Sequence, residues 1–312
     1  MTYDVVVIGG GPAGLSAAVT LVRARRSVLV VDGCRPRNAP ASGVHGFLSR
    51  DGIPPGELSA AGRAEVAHYG GEFLDAEAVT AKSVPGGFEV VLESGDAVTA
   101  RRLVVTTGAL DELPDVPGLA EHWGRDVVHC PYCHGWEVRD RPIGVLGTNA
   151  MAVHQATLFR QWSPDVVLFQ HIAPGIEPAD VKRLAARGVR VVTGQVVAIE
   201  SDAEGLSGVR LEDGTVVPRR ALAIATRLTA RSGVLSGLGL EAVPGPGEMF
   251  EAIPTVDASG RTEVPGVWVA GNVTEPMDQV IMVAAAGVRA GAMVNMDLIE
   301  EEFDRAQEAA RA

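Results

Sequence analysis

At 312 residues the chain is long enough for two domains, each with its own core. A 46% hydrophobic share and a 21% charged share exclude a disordered chain, and a net charge of −12 argues against nucleic-acid or anionic-membrane surfaces, which need basic patches. The first apolar run, Val5 to Ile8, has no basic segment before it, and no apolar stretch is read as approaching the roughly 18 residues of a membrane span, so neither a signal peptide nor a membrane segment is expected. Three cysteines do not make a secreted disulfide framework, which points to the cytoplasm.

Thr2 to Ile8 reads as a buried strand that runs into Gly9-Gly10-Gly11-Pro12-Ala13-Gly14. This Gly-x-Gly-x-x-Gly run, with its Pro12 and Ala13, is the dinucleotide fingerprint. Its glycines permit a tight turn, close backbone approach to a pyrophosphate and close helix–strand packing. An apolar helix from Pro12 to about Arg25 and a strand from Val28 to Val31 follow, ending in Asp32 and Gly33. Asp32 lies where an acid holds a ribose hydroxyl, so strand, helix, strand and acid are all in place. The loop Cys34 to Pro55 contains Arg37, Asn38 and His45, each either over the cofactor or simply on a surface loop. Cys34 has no cysteine partner nearby and reads as a small side chain.

Glu57 to His68 has helical character. Glu77–Val84, Gly87–Glu93 and Ala97–Arg101 alternate between turn signals and suggest an antiparallel meander. Leu103 to Thr106 reads as a separate buried strand leading into Thr107-Gly108-Ala109, where a glycine again suits a nucleotide. Leu113 to Gly118 is the clearest linker.

Next comes His129-Cys130-Pro131-Tyr132-Cys133-His134-Gly135-Trp136. A C-x-x-C pair closes a small disulfide ring, and the proline stiffens it. The pair reads first as a redox dithiol. The alternative is a zinc half-site of Cys130, Cys133 and one histidine, although no second C-x-x-C or H-x-x-x-H occurs in the chain. His134, and behind it His129, are candidate proton carriers because imidazole titrates near neutral pH; the plainer reading of His134 is structural.

After the dithiol the pattern repeats as Ile143–Leu146, a turn Gly147 to Ala152, a helix to Trp162 and a strand Val166–Phe169. Here Asn149 stands where the backbone must approach the pyrophosphate, and the strand ends in Gln170-His171 with no acid and no following arginine cluster. The second nucleotide site is expected to be degenerate. A second meander spans 196–217, Leu222–Ala225 closes the inserted segment, and Val267–Ala270 leads through Gly271-Asn272 into a long apolar helix from about Gln279 and Val280. That helix's N-terminal N–H groups favour negative charge. Glu300 to Ala312 reads as a solvated helical tail.

The order of these motifs resembles the low-molecular-weight thioredoxin reductase family of flavoproteins. The matching stretches are the first glycine run, Thr106-Thr107-Gly108-Ala109, the Cys130–Cys133 pair and Val269-Ala270-Gly271-Asn272. The resemblance implies an α/β chain of two Rossmann-like, three-layer dinucleotide-binding domains, the second inserted in the first. It places an FAD-binding domain at 1–114 and 231–312, and an NAD(P)H-binding-like domain with the C-x-x-C at 118–230. It also implies FAD, a homodimer and a redox-active disulfide near the flavin. The chain departs from the family in its second glycine loop, in the missing basic motif, in His134 where an Asp usually stands, and in Asn272 for Asp. The first two departures and His134 resemble the dithiol-oxidase branch, which closes disulfides in natural products such as gliotoxin and holomycin with O₂ as acceptor. The expectation is a small-molecule or peptide dithiol that attacks Cys130, with Cys133 facing the flavin. The alternatives are an NAD(P)H-dependent disulfide reductase and, in another class, a non-catalytic flavin-binding redox sensor.

Overall fold

A computed structural model describes residues 2–311. Its contacts divide the chain into two units: Met1–Ala39, Ile53–Leu110 and Leu228–Ala312 form the first, and Pro40–Gly52 with Asp111–Arg227 form the second. The loop Pro40–Gly52, read from the sequence as part of the first domain, groups with the second.

In the first unit Glu72–Asp75, Val28–Asp32, Thr2–Ile8 and Ala97–Val105 lie side by side in parallel, and Val267–Val269 joins the last of them, also in parallel. Val5 and Val7 face one side of the sheet, with Val28, Val30 and Val104, against helix residues Leu15, Ala18 and Leu21. Val6 and Ile8 face the other side, with Leu29 and Val31, against Phe88 and Val90 of the meander. A parallel sheet covered on both faces requires such continuous apolar strands. Helices, sheet and meander make three layers.

The meander and the next buried strand are not separate. Ala97–Val105 is one nine-residue strand, antiparallel to Gly87–Leu92 in its first part and parallel to Val267–Val269 in its last. Arg101 and Arg102 lie inside this strand, and their charges are matched in the fold. Arg101 Nη1 lies 2.8 Å from Asp4 and 3.0 Å from Glu302, and Arg102 Nη2 lies 2.8 Å from Glu301. The tail is helical and largely exposed over its described residues, as expected; it continues a helix that runs unbroken from Val280 to Arg311, and Glu301 and Glu302 pair with the arginines of the sheet strand.

That helix is, among the described residues, the one long and apolar enough by length and composition to cross a membrane, with mean hydropathy 1.3, where no such stretch was expected from the sequence. Its inner face is a core face. A Cβ at Gly287 would overlap the Ala13 carbonyl and one at Gly291 would meet Ala17, so the two glycines let it lie directly on the helix Pro12–Arg23. Ala290, Val294 and Leu298 are fully buried beside them.

The second unit repeats the plan. Arg190–Val192, Val166–Phe169, Ile143–Leu146, Ala221–Ile224 and Val127–Val128 form a five-stranded parallel sheet. Phe159 and Leu184, from helices Ala152–Phe159 and Pro178–Ala185, pack on one face. The meander Val196–Asp202, Gly205–Leu211 and Val216–Pro218 packs on the other through Ile199, Leu206 and Val209.

Candidate active site

The first glycine loop has the shape its sequence implies. Gly9 sits at φ +104°, a conformation L side chains rarely adopt. A Cβ on Gly14 would overlap the Gly9 carbonyl, which is the close helix–strand contact of the fingerprint. A Cβ on Gly11 would meet nothing within 4 Å, so open space lies at the position where a pyrophosphate approaches. The helix Pro12–Arg23 starts there with no side-chain cap and no acid in its first turn, leaving its N-terminal N–H groups to an anion. Thr106 Oγ1 donates to the Gly9 carbonyl at 2.8 Å and holds the loop down.

Asp32 ends the second strand with one carboxylate oxygen accepting from the Cys34 N–H at 3.2 Å and the other 3.4 Å from Arg63. A Cβ on Gly33 would meet the Glu77 carboxylate, the mobile end of a side chain paired with Arg35. Gly108 adopts φ +77° over open space between Thr107, whose hydroxyl donates to the Arg231 carbonyl at 2.6 Å, and the buried Ala109. Gly271 adopts φ +79°. The Asn272 Nδ2 donates to the carbonyls of Glu275, Pro276 and Asp278, so Oδ1 is left as the acceptor for a ligand hydroxyl. Gln279 precedes Val280 at the start of the long helix, and its carbonyl accepts from the Val283 N–H at 3.0 Å. Arg37 reaches the Pro276 carbonyl at 3.4 Å, and Asn38 lies in the adjoining turn. All these residues lie in the first unit, and the open glycine loop with its uncapped helix N-terminus suits a pyrophosphate. His45 is the exception: it belongs to the second unit.

The second glycine loop has a different outcome. Asn149 Nδ2 donates to the Ala225 carbonyl at 3.0 Å, while Oδ1 accepts from the Met151 N–H at 2.9 Å. The side chain therefore takes one of the N–H groups that open the following helix and would otherwise meet a phosphate. Thr148 also donates to Ala225, at 2.9 Å. His171, at φ +48° after the strand that should end in an acid, accepts from the Val196 N–H through Nδ1 at 3.1 Å, and burial pushes its pKa below the usual value. A neutral, committed imidazole stands where a ribose-binding carboxylate is needed.

The dithiol opens a one-turn helix, Pro131–His134, in the second unit. The Cys130 carbonyl accepts from the Cys133 N–H at 3.2 Å and from the His134 N–H at 3.0 Å, which folds the two cysteines onto one turn. Both are half-buried. Gly135 fits beneath Trp162, where a Cβ would strike the indole, and Tyr132 lies edge-on to the same ring with centroids 5.7 Å apart. Tyr132 and Trp136 are exposed beside the cysteines.

The two flanking histidines differ. His129 Nδ1 lies 3.2 Å from the Ile224 carbonyl and 3.4 Å from Thr226 Oγ1, which donates to Asp111 at 2.7 Å; the His129 carbonyl accepts from Gln155. It is anchored on both sides. His134 Nε2 is buried with no hydrogen-bond partner among the described residues. Burial is the main force on its pKa and pushes it down; the Glu137 charge works upward and His45 downward. A neutral imidazole with an uncommitted nitrogen next to a dithiol is placed to take a thiol proton. Among the described residues no three His, Cys, Asp or Glu side chains gather as a metal site.

Glu137, Arg63 and the Thr226–Asp111 pair went unnoticed in the sequence. Glu137 had a signal, since it stands three residues beyond His134; the others come from distant positions that only the fold assembles.

The model of the pyridine nucleotide-disulphide oxidoreductase family matches residues 3–291. The chain belongs to that family of enzymes. Among its relatives, the thioredoxin reductase tcpT of Claviceps purpurea is 33% identical over 96% of this chain and 95% of its own, and the thioredoxin reductase sirT of Leptosphaeria maculans is 31% identical over 95% and 94%. The crystal structure of HlmI superposes with a TM-score of 0.92 at 45% identity, covering 99% of this chain and 96% of that one. The chain is thus a thioredoxin reductase-like disulfide oxidoreductase with the two Rossmann-like folds of that class.

Proposed function

We propose that the chain is an FAD-dependent dithiol oxidase. The observation that carries this reading is the second nucleotide loop, where Asn149 fills the phosphate position and His171 replaces the acid, while the first loop stands open. Gly9, Gly11, Pro12, Ala13, Gly14, Asp32, Thr107, Gly108, Ala109, Gly271 and Asn272 would hold FAD, which when bound would supply an acceptor for the electron pair, with O₂ as the final oxidant. A substrate thiolate attacks Cys130 Sγ, breaking the Cys130–Cys133 bond; the substrate's second thiolate then expels Cys130 and closes the product disulfide. Cys133 leaves the exchange as a thiolate and is the electron donor. His134 takes the substrate's thiol proton at Nε2. The substrate is a small-molecule or peptide dithiol, and the compartment is the cytoplasm.

The deciding experiment is anaerobic. Dithiothreitol is expected to bleach the flavin band and NADPH at modest concentration to leave it, with peroxide appearing once oxygen is admitted. Rapid bleaching by NADPH but not by the dithiol would sink the reading in favour of an NAD(P)H-dependent reductase. Bleaching by neither would favour the redox sensor.

The reading includes a homodimer. Ile281, Val288, Met296 and Phe303 recur at helical spacing on one face of the C-terminal helix, and all four are exposed. The wild-type protein is expected to elute with the mass of two chains in multi-angle light scattering, and Val288→Glu with Met296→Glu to yield one. A wild-type monomer would overturn this part.

A further inference from the structure

Away from the dithiol but in the same second unit, the turn Ala120–His122 meets the hairpin of Val196–Asp202 and Gly205–Leu211 through three hydrogen-bonded side chains. His122 Nε2 lies 2.7 Å from Ser201 Oγ, and His122 Nδ1 lies 3.2 Å from Asp126 Oδ2. Asp126 fixes the direction of both bonds. Its Oδ2 also accepts from the Leu206 N–H at 3.3 Å, so it is the acceptor and His122 Nδ1 the donor. Nε2 is then left to accept from the Ser201 hydroxyl. This is the tautomer and the order of a serine nucleophile, its base and the acid that orients the base.

Exposure falls along the row in the sense such a site requires. Ser201 is exposed, His122 is buried and Asp126 is 17% exposed. The fold fixes each member. The Asp126 carbonyl accepts from the Leu222 N–H at 2.8 Å, and its other carboxylate oxygen lies 3.4 Å from Arg141 Nη1. Gly205, at φ +120°, lets the carboxylate in, since a Cβ there would overlap Oδ2. The His122 N–H donates to the Leu119 carbonyl at 3.2 Å. The pairing register shifts between Glu200 and Ser201, an irregularity of the kind that re-aims a side chain.

We propose that Ser201, His122 and Asp126 form a second, hydrolytic site that cleaves small carboxylic esters, independently of the dithiol. Esters rather than amides are the class, because a surface serine offers activation with little binding energy, and an ester's better leaving group departs on activation alone. In the first step the Ser201 O–H bond breaks, its proton goes to His122 Nε2, and Ser201 Oγ bonds to the ester carbonyl carbon. The ester C–O bond then breaks, and the alcohol leaves with the proton from His122. In the second step water gives a proton to His122 and attacks the acyl carbon; the bond to Ser201 breaks and Ser201 regains the proton. One ester and one water become one acid and one alcohol, and nothing is oxidised or reduced. Asp126 is a positioning residue that holds His122 in the working tautomer. The competing account is that the row only pins the turn to the hairpin.

The test uses the full FAD-loaded protein with its thiols blocked by iodoacetamide, and as probes a fluorophosphonate and p-nitrophenyl acetate. Ser236 is the internal reference: it too is exposed, but its hydroxyl donates to the Gly233 carbonyl at 2.8 Å and has no imidazole in that bond. Peptide mass spectrometry should find Ser201 labelled at least about a hundredfold faster than Ser236, the worth of a positioned base. Asp126→Asn keeps the side-chain shape and favours the wrong tautomer, so labelling and ester turnover should both slow by at least about a hundredfold. Ser201→Ala should lose the ester turnover that the fluorophosphonate inhibits in the wild type. Ser201 labelled no faster than Ser236, labelling unchanged in Asp126→Asn, or turnover unchanged in Ser201→Ala would each overturn the site and leave the pin. The comparison of Ser201 with Ser236 is made in the wild type, so it decides even where a variant fails to fold.

Discussion

Cys133→Ser is expected to leave the flavin oxidised when a dithiol is added without oxygen, with turnover lower by at least about a thousandfold. The effect is large because a serine hydroxyl neither closes a disulfide with Cys130 nor leaves as a thiolate. It is also specific. The Cys133 N–H bond to the Cys130 carbonyl, at 3.2 Å, is a backbone contact, and the one-turn helix that carries both cysteines survives the change. With Cys133 gone, an activated disulfide of a monothiol should leave a stable mixed disulfide on Cys130, visible by mass spectrometry, because no neighbouring thiol is left to displace it. Trapping by Cys130→Ser at Cys133, together with flavin reduction retained in Cys133→Ser, would reverse the polarity assigned to the pair.

What could be read in advance depended on whether a feature was local. The fingerprint at Gly9–Gly14 states its geometry in the sequence, because each glycine answers a contact within its own βαβ unit: Gly14 against Gly9, and Gly10 against Asp32. Asn149 was legible as a defect for the same reason, but its second task, accepting the Met151 N–H, needed coordinates. The extent of one strand was missed. The strand was divided between Arg101 and Leu103, and the partners that hold Arg101 and Arg102 within it, Asp4, Asp297, Glu301 and Glu302, lie almost a hundred or some two hundred positions away. His45 was read as lying over the cofactor or on a surface loop because it follows the second strand, and its neighbour Glu137 is far along the chain. Long-range ion pairs leave no period in a sequence, whereas apolar strands and glycine turns do.

The second large effect concerns His134. Burial is the first cause acting on its pKa and lowers it, so the acid limb of the dithiol oxidation rate should have its midpoint below the ordinary histidine value of about 6.5. The sign follows from the role. A base works when deprotonated, so the rate rises as pH climbs through the depressed pKa and is flat at neutral pH. His134→Gln should remove that limb and lower turnover near pH 7 by roughly a hundredfold to ten-thousandfold, the usual worth of a positioned general base. The loss should shrink above about pH 9, where the substrate thiol ionises without help. His129→Gln is the matched comparison. With Nδ1 against the Ile224 carbonyl and its own carbonyl held by Gln155, His129 is placed to shape the turn, and its replacement should lower the rate without erasing the limb. A pH–rate profile unchanged in His134→Gln would return that residue to a structural role; a limb lost only in His129→Gln would move the proton to the other side of the dithiol.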